Sequence, residues 1–105
     1  MTYYPALAAA ELEADQAKLV TINDVKILVA KSDEQFFAFE NRCTHDNEAL
    51  VGGRIRKCSI VCPWHGARFS LKNGNPYGPP AFEPITTYPV RVVDGMVEVS
   101  LEAKS

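Results

Sequence analysis

The sequence lacks most of the features that mark membrane, secreted or nucleic-acid-binding proteins. No apolar run approaches the roughly 18 residues of a membrane-spanning helix, and the first residues lack the positive charge of a secretory signal. The formal net charge is only -2, which favours neither nucleic acid nor an anionic membrane surface as a partner. We therefore expect a cytoplasmic chain that binds neither nucleic acid nor a membrane.

The whole chain contains only three cysteines, which is an odd number. Without signs of export, an odd count argues against a disulfide framework and favours metal ligands or thiols in a reducing compartment. The length of 105 residues and the hydrophobic content of 47% indicate one globular domain, residues 1–105.

Helix-like composition is also scarce and occurs only around residues 6–17. Two pairs of β-branched and aromatic runs predict hairpins instead: 25–30 with 35–39, and 88–93 with 96–101. The second pair flanks Asp94-Gly95, which is a strong signal for a two-residue hairpin turn. We predict an all-β fold of antiparallel sheets.

The middle of the chain differs in composition from the predicted strands. Residues 41–84 hold all three cysteines, both histidines, five of the six glycines and five of the seven prolines. Such a segment suits irregular loops that wrap around a site on a β scaffold. We expect a loop-rich binding subdomain at about residues 41–84.

Two short units in this segment combine the same two ligand types. They are Cys43-Thr44-His45 and Cys62-Pro63-Trp64-His65, with sixteen residues between His45 and Cys62. An all-cysteine iron–sulfur cluster needs four thiolates, so any such cluster here requires histidine ligands as well. A structural zinc site of the Cys₂His₂ type would use the same atoms, although zinc fingers usually group like ligands together.

The pattern Cys-x-His followed by Cys-x-x-His resembles the Rieske family. Gly66, the proline-rich stretch 73–80 and the closing strands extend the resemblance over roughly residues 18–101. It implies a Rieske fold and one [2Fe–2S] cluster, with two cysteines on one iron and two histidines on the other. The implied ligands are Cys43, His45, Cys62 and His65.

The resemblance also carries a functional implication. High-potential Rieske proteins have an extra cysteine in each ligand loop, and serine and tyrosine hydroxyls after the second histidine; the matching residues here are Glu48, Trp64, Ala67 and Phe69. Hydrogen bonds to sulfur stabilise the reduced cluster, so we predict a potential at the low end of about -150 to +300 mV. This pattern is similar to the ferredoxins of bacterial aromatic-ring dioxygenases. It implies an electron carrier rather than an enzyme, with a flavin-containing reductase as donor and a terminal oxygenase as acceptor.

Other functions remain open at the level of the sequence. An oxygenase would need a second iron bound by two further histidines and a carboxylate, and both histidines are already used. A small redox subunit of another oxidoreductase, such as nitrite reductase, and a structural zinc module are the remaining alternatives.

Several residues near the predicted site have two interpretations each. Cys58 suits a buried inert thiol better than a redox sensor, and Phe82 suits shielding of the site better than partner contact. For Trp64 the two roles are equally supported. The segment also contains five basic residues: Arg54, Arg56, Lys57, Arg68 and Lys72. They form either a solvated face or a docking surface for an acidic partner, and the solvated face is the simpler interpretation.

Overall fold

A computed structural model describes residues 2–44, 48–63, 66–78 and 81–102. In these residues the only helical element is a single 3₁₀ turn, Ala9–Glu11. Ten strands make up the rest of the regular structure: β1 (Tyr3–Ala8), β2 (Gln16–Ile22), β3 (Val25–Ser32), β4 (Gln35–Glu40), β5 (Arg54–Arg56), β6 (Ser59–Val61), β7 (Arg68–Ser70), β8 (Thr87–Tyr88), β9 (Val90–Val93) and β10 (Met96–Ser100). The all-β prediction is confirmed.

The strands form three antiparallel sheets, with the orders β1-β10-β9, β2-β3-β4-β8 and β5-β6-β7. Both predicted hairpins are present, as β3-β4 and β9-β10. Each of four hairpins turns through two residues with positive φ, which is the turn geometry that matches the twist of paired strands. These turns are Asn23-Asp24, Asp33-Glu34, Lys57-Cys58 and Asp94-Gly95.

Strand β3 is buried on both of its faces and therefore separates two hydrophobic cores. Successive side chains of a strand point to opposite sides, so Ile27 and Val29 pack on one side and Leu28 and Ala30 on the other; each is at most 1% exposed. Burial on both faces explains why this strand is apolar without alternation.

The base core lies between the four-stranded sheet and the sheet β1-β10-β9. Its buried members are Leu7, Leu12, Ile22, Ile27, Val29, Ala38, Val97 and Val99. The site core lies on the opposite side of β3, between the four-stranded sheet and the sheet β5-β6-β7. Its members are Leu28, Ala30, Phe37, Phe39, Cys43, Leu50, Ile55, Cys58, Ile60, Cys62, Ala67, Phe69, Leu71, Ala81 and Ile85.

The helix-like composition around residues 6–17 does not produce an α-helix. The chain there continues β1 to Ala8, makes the short 3₁₀ turn and enters β2 at Gln16. Strand β1 is held by pairing with β10, for example Tyr4 with Val99, and such a distant partner overrides a weak local preference. Pro89 likewise divides the predicted run 88–93: β8 pairs with β4, and β9 pairs with β10.

Gly74 is required where the chain leaves β7 for the proline-rich stretch. Its φ is +81°, and a Cβ there would lie 2.1 Å from the carbonyl oxygen of Ile85. The Gly74 N–H donates to Ser70 O at 2.8 Å, and the Ile85 N–H donates to Gly74 O at 2.9 Å. This close approach joins the two ends of the segment 74–85 to each other.

We expect Gly74→Ala to be strongly destabilising, with Gly95→Ala as its matched control. Gly95 also has positive φ, +76°, but has no atom within 4 Å of a Cβ. Alanine costs about 1–2 kcal/mol in this backbone region at either position, and only Gly74→Ala adds a clash with backbone. Urea unfolding should show a loss at least about 2 kcal/mol larger for Gly74→Ala. Equal losses would contradict the close approach at Gly74.

Candidate metal centre

Two loops carry the predicted cysteine ligands, and the same type of backbone hydrogen bond closes both. The Cys43 N–H donates to Glu48 O at 2.8 Å, and the Cys62 N–H donates to Ala67 O at 2.6 Å. In each loop the acceptor lies five positions after the cysteine. We call residues 43–48 the first ligand loop and residues 62–67 the second.

Both predicted histidine ligands belong to these loops by sequence. His45 is the third residue of the first ligand loop, and His65 is the fourth residue of the second. Residues 45–47 and 64–65 lie outside the described residues, so His45, His65 and Trp64 do too. The four-residue ligand set therefore stays a prediction.

The two cysteine side chains enter the same apolar core from their separate loops. Cys43 is 0% exposed and Cys62 is 2% exposed, and both belong to the site core. Neither forms a disulfide. A thiolate buried among apolar side chains is unfavourable unless a cation neutralises it. The donor set therefore fits a bound metal centre with thiolate ligands.

Regular structure leads directly into the second ligand loop. Strand β6 ends at Val61, one residue before Cys62, and β7 begins at Arg68, one residue after Ala67. Within the loop the Gly66 N–H donates to Cys62 O at 3.2 Å. Gly66 has a φ of +74°, a left-handed conformation that glycine adopts without strain. The paired strands thus fix both ends of this loop.

A third segment, residues 74–85, packs against the first ligand loop; we call it the cover segment. The Thr44 hydroxyl donates to Glu83 O at 2.6 Å, and Thr44 lies between the two predicted ligands of its loop. Pro79 and Pro80 lie outside the described residues. The cover segment is therefore fastened at its ends by Gly74 and Ile85 and near Glu83 by the ligand loop.

Phe82 lies on the outside of the cover segment. Its exposure is 80%, so the expectation that this ring shields the site is wrong. Phe82 directly precedes Glu83, whose carbonyl Thr44 binds, and Val51 near the first ligand loop is also exposed, at 45%. An apolar side chain with this exposure beside a ligand loop suits contact with a partner protein.

Ala67 and Phe69 are the residues that the sequence resemblance matches to hydroxyl-bearing positions of high-potential Rieske proteins. Both side chains are 0% exposed and lie in the site core with the two cysteines. Neither of these two side chains can donate a hydrogen bond to a cysteine sulfur.

Cys58 lies apart from both ligand loops. It occupies the turn between β5 and β6 and is 6% exposed. Its N–H donates to the hydroxyl of Ser32 at 3.0 Å, and Ser32 in turn donates to Asp15 at 2.9 Å. These contacts fasten the turn to the end of β3 and agree with a structural role for this thiol.

Thr44→Val should loosen the cover segment, because valine keeps the shape of threonine but cannot donate to Glu83 O. Loss of a hydrogen bond worth about 1 kcal/mol predicts roughly fivefold faster amide exchange in residues 81–85, measured by mass spectrometry. Thr44→Ser keeps the hydroxyl and should exchange like the wild type. Equal exchange in all three proteins would show that this bond does not hold the segment.

Comparison with known proteins supports the assignment of the metal centre. Residues 2–89 match the family described as Rieske [2Fe-2S] domain. The anthranilate 1,2-dioxygenase ferredoxin subunit of Burkholderia cepacia is 29% identical over 99 residues, which cover 94% of this chain and 92% of that protein. The 3-phenylpropionate/cinnamic acid dioxygenase ferredoxin subunit of Photorhabdus laumondii is 37% identical over 70 residues, 66% of this chain and 67% of that protein.

A solved structure extends the likeness to nearly the whole chain. A chain in the complex of reduced oxygenase and oxidised ferredoxin in carbazole 1,9a-dioxygenase superposes with a TM-score of 0.90 and 29% identity, covering 98% of this chain and 96% of that one. No helix among the described residues is long and apolar enough to cross a membrane. The sequence motif, the buried cysteines and these similarities agree, and the chain belongs to the Rieske [2Fe–2S] domain family.

Proposed function

We propose that this chain is the ferredoxin component of a bacterial aromatic-ring dioxygenase system. It carries single electrons from a flavin-containing reductase to a terminal oxygenase and is not itself the catalyst. The observation that carries the proposal is the burial of Cys43 and Cys62 in one core by two matched loops. Two relatives are ferredoxin subunits of aromatic-acid dioxygenases, and a similar chain occurs in a complex with an oxygenase.

One [2Fe–2S] cluster is the proposed cofactor, which supplies one-electron redox chemistry when it is bound. Cys43 and Cys62 would bind one iron, and His45 and His65 the other. Two thiolates carry less negative charge than four, so this ligand set favours reduction more than an all-cysteine set does. The buried position of the cysteines supports the thiolate half of the set.

The residues around the cysteines exclude water and tune the potential. Ile60 and Phe69, both 0% exposed, belong to the same buried core as Cys62. Hydrogen bonds to sulfur stabilise a reduced cluster, and the side chains of Ala67 and Phe69 offer none. We therefore propose a potential in the lower part of the Rieske range, which suits delivery of electrons to an oxygenase.

We call the exposed surface around Phe82 of the cover segment and Val51 after the first ligand loop the tip, and it is the proposed contact for the oxygenase. Phe82 and Val51 present apolar surface there, and the predicted ligand His45 belongs to the same loop. Large apolar side chains often anchor protein interfaces. Docking at this tip would bring the metal centre near the acceptor.

The purified protein tests the proposal through its spectrum and its metal content. We expect a coloured protein with about two irons per chain and, after dithionite reduction, a rhombic EPR signal with an average g value below that of all-cysteine clusters. Cys43→Ser and Cys62→Ser should abolish this signal. Cys58→Ser, the matched control, should keep it because Cys58 lies outside both ligand loops. A colourless wild-type protein with stoichiometric zinc would refute the electron-carrier function.

Adding a hydroxyl beside the second cysteine should raise the reduction potential. A hydrogen bond to sulfur worth about 1 kcal/mol corresponds to roughly 40 mV for a one-electron couple. We therefore expect Ala67→Ser to raise the midpoint potential by about that amount in protein-film voltammetry. Ala38→Ser makes the same substitution at a buried site in the base core and should leave the potential unchanged. A lower potential for Ala67→Ser would contradict this account.

A further inference from the structure

The outer face of the sheet β5-β6-β7 carries a concentration of positive charge. Alternation along β5 buries Ile55 and exposes Arg54 and Arg56. Cross-strand pairing aligns Arg54 with Val61 on β6, and Val61 with Arg68 on β7. We call this surface the basic groove; it has a volume of about 330 Å³ and is lined by Arg54, Arg56, Lys57, Ser59, Val61 and Arg68.

The charge of the basic groove is not neutralised within the described part of the chain. None of the ion pairs between described residues involves a basic residue of the groove, and no carboxylate is among the described residues that line it. Lys57, at the edge of the groove, also lines a neighbouring pocket that contains Asp15, Asp33 and Glu34. The uncompensated charge of the groove therefore comes from its three arginines, on a protein whose net charge is negative. An unevenly distributed charge of this kind steers an oppositely charged partner.

The groove is also partly ordered before anything binds. The Arg68 guanidinium lies 4.7 Å from the centre of the Tyr77 ring, and its Nε donates to the hydroxyl of Ser59 at 3.0 Å. Ser59 is 1% exposed and donates to Arg56 O at 2.6 Å. Side chains that are already held lose less entropy on binding, and a planar guanidinium pairs well with a carboxylate. These features favour a binding surface over a merely solvated one.

The groove adjoins the second ligand loop. Val61 directly precedes Cys62, and Arg68 directly follows Ala67, whose carbonyl accepts the Cys62 N–H. The opposite face of the same sheet contributes Ile60 and Phe69 to the site core. A protein seated on the groove is therefore separated from the metal centre by a single sheet and its loop.

The tip differs in character from the basic groove. Its exposed side chains include the apolar Phe82, which Glu83 directly follows, and residues 81–85 contain no basic residue. Such a surface does not compete with the basic groove for an acidic partner. The two surfaces therefore select different partners.

We propose that the basic groove docks an acidic surface of the flavin-containing reductase, while the tip serves the oxygenase. This inference rests on the proposed function, which requires one donor and one acceptor. Carboxylates on the reductase pair with Arg54, Arg56 and Arg68 and bring the donor to the side of the second ligand loop. The two partners then recognise the chain through different surfaces, one basic and one mainly apolar.

The test compares the two half-reactions in a double variant of the groove. Arg54→Gln/Arg56→Gln removes two positive charges from it, and Lys26→Gln/Arg91→Gln removes two from exposed sites elsewhere. The probes are the flavoprotein reductase and the oxygenase of one dioxygenase system between which the wild-type chain carries electrons. Stopped-flow absorbance measures reduction by the reductase and reoxidation by the oxygenase at several salt concentrations.

We expect the groove variant to be reduced at least about tenfold more slowly at low salt, with the difference shrinking as salt screens the charges. Its reoxidation by the oxygenase, its EPR spectrum and its potential should match the wild type, and the control variant should match it in both reactions. Equal slowing of the groove and control variants would show that the rate depends only on the net charge of the protein, and would overturn the proposal. Slowing of reoxidation instead of reduction, or no slowing at all, would also overturn it. A wild-type chain that no such reductase reduces would instead refute the proposed function.

Discussion

The rest of the structure depends on the burial of β3 on both of its faces. Four consecutive residues of this strand, 27–30, are apolar and buried, so each face of the strand needs a layer of its own that excludes water. One layer is the sheet β1-β10-β9, which completes the base core. The other is the small sheet β5-β6-β7 with its loops, and this layer holds both cysteines. The scaffold and the metal centre therefore share one central strand, Val25–Ser32.

The ligand loops gain order from the layer that carries them. Short paired strands lead into Cys62 and out of Ala67, and each ligand loop is closed by a hydrogen bond from the cysteine N–H. The cover segment adds a contact from Thr44, between two predicted ligands, to Glu83. A redox centre benefits from such fixed surroundings, because an electron carrier works best when little reorganises between its oxidised and reduced forms. The proposed low potential rests on the same surroundings, since no side-chain hydroxyl is present at Ala67 or Phe69.

The described surface differs in character between two places that adjoin the ligand loops. The tip presents the exposed ring of Phe82, whereas the outer face of the small sheet presents arginines. Our proposal assigns these two surfaces to two successive partners, which would give a small carrier two recognition surfaces without a second domain.

The sequence by itself determined the all-β class, both predicted hairpins and the family of the metal centre. These features follow from local signals: alternating or β-branched runs, the Asp94-Gly95 turn, and ligand types at fixed spacing. The four proposed ligands also come from the sequence, while the structure adds the burial of Cys43 and Cys62.

Only the tertiary structure decided what depended on distant parts of the chain. Strand β1 forms despite the helix-like composition that begins at residue 6, because it pairs with β10 at the far end of the chain. Phe82 is exposed while its neighbour Ala81 is buried, and composition alone does not indicate which side of a loop faces solvent. The arginines form one groove because pairing aligns β5, β6 and β7 in register. Spacing along the chain determines the chemistry a segment can perform, whereas pairing between segments determines which residues meet and which face water.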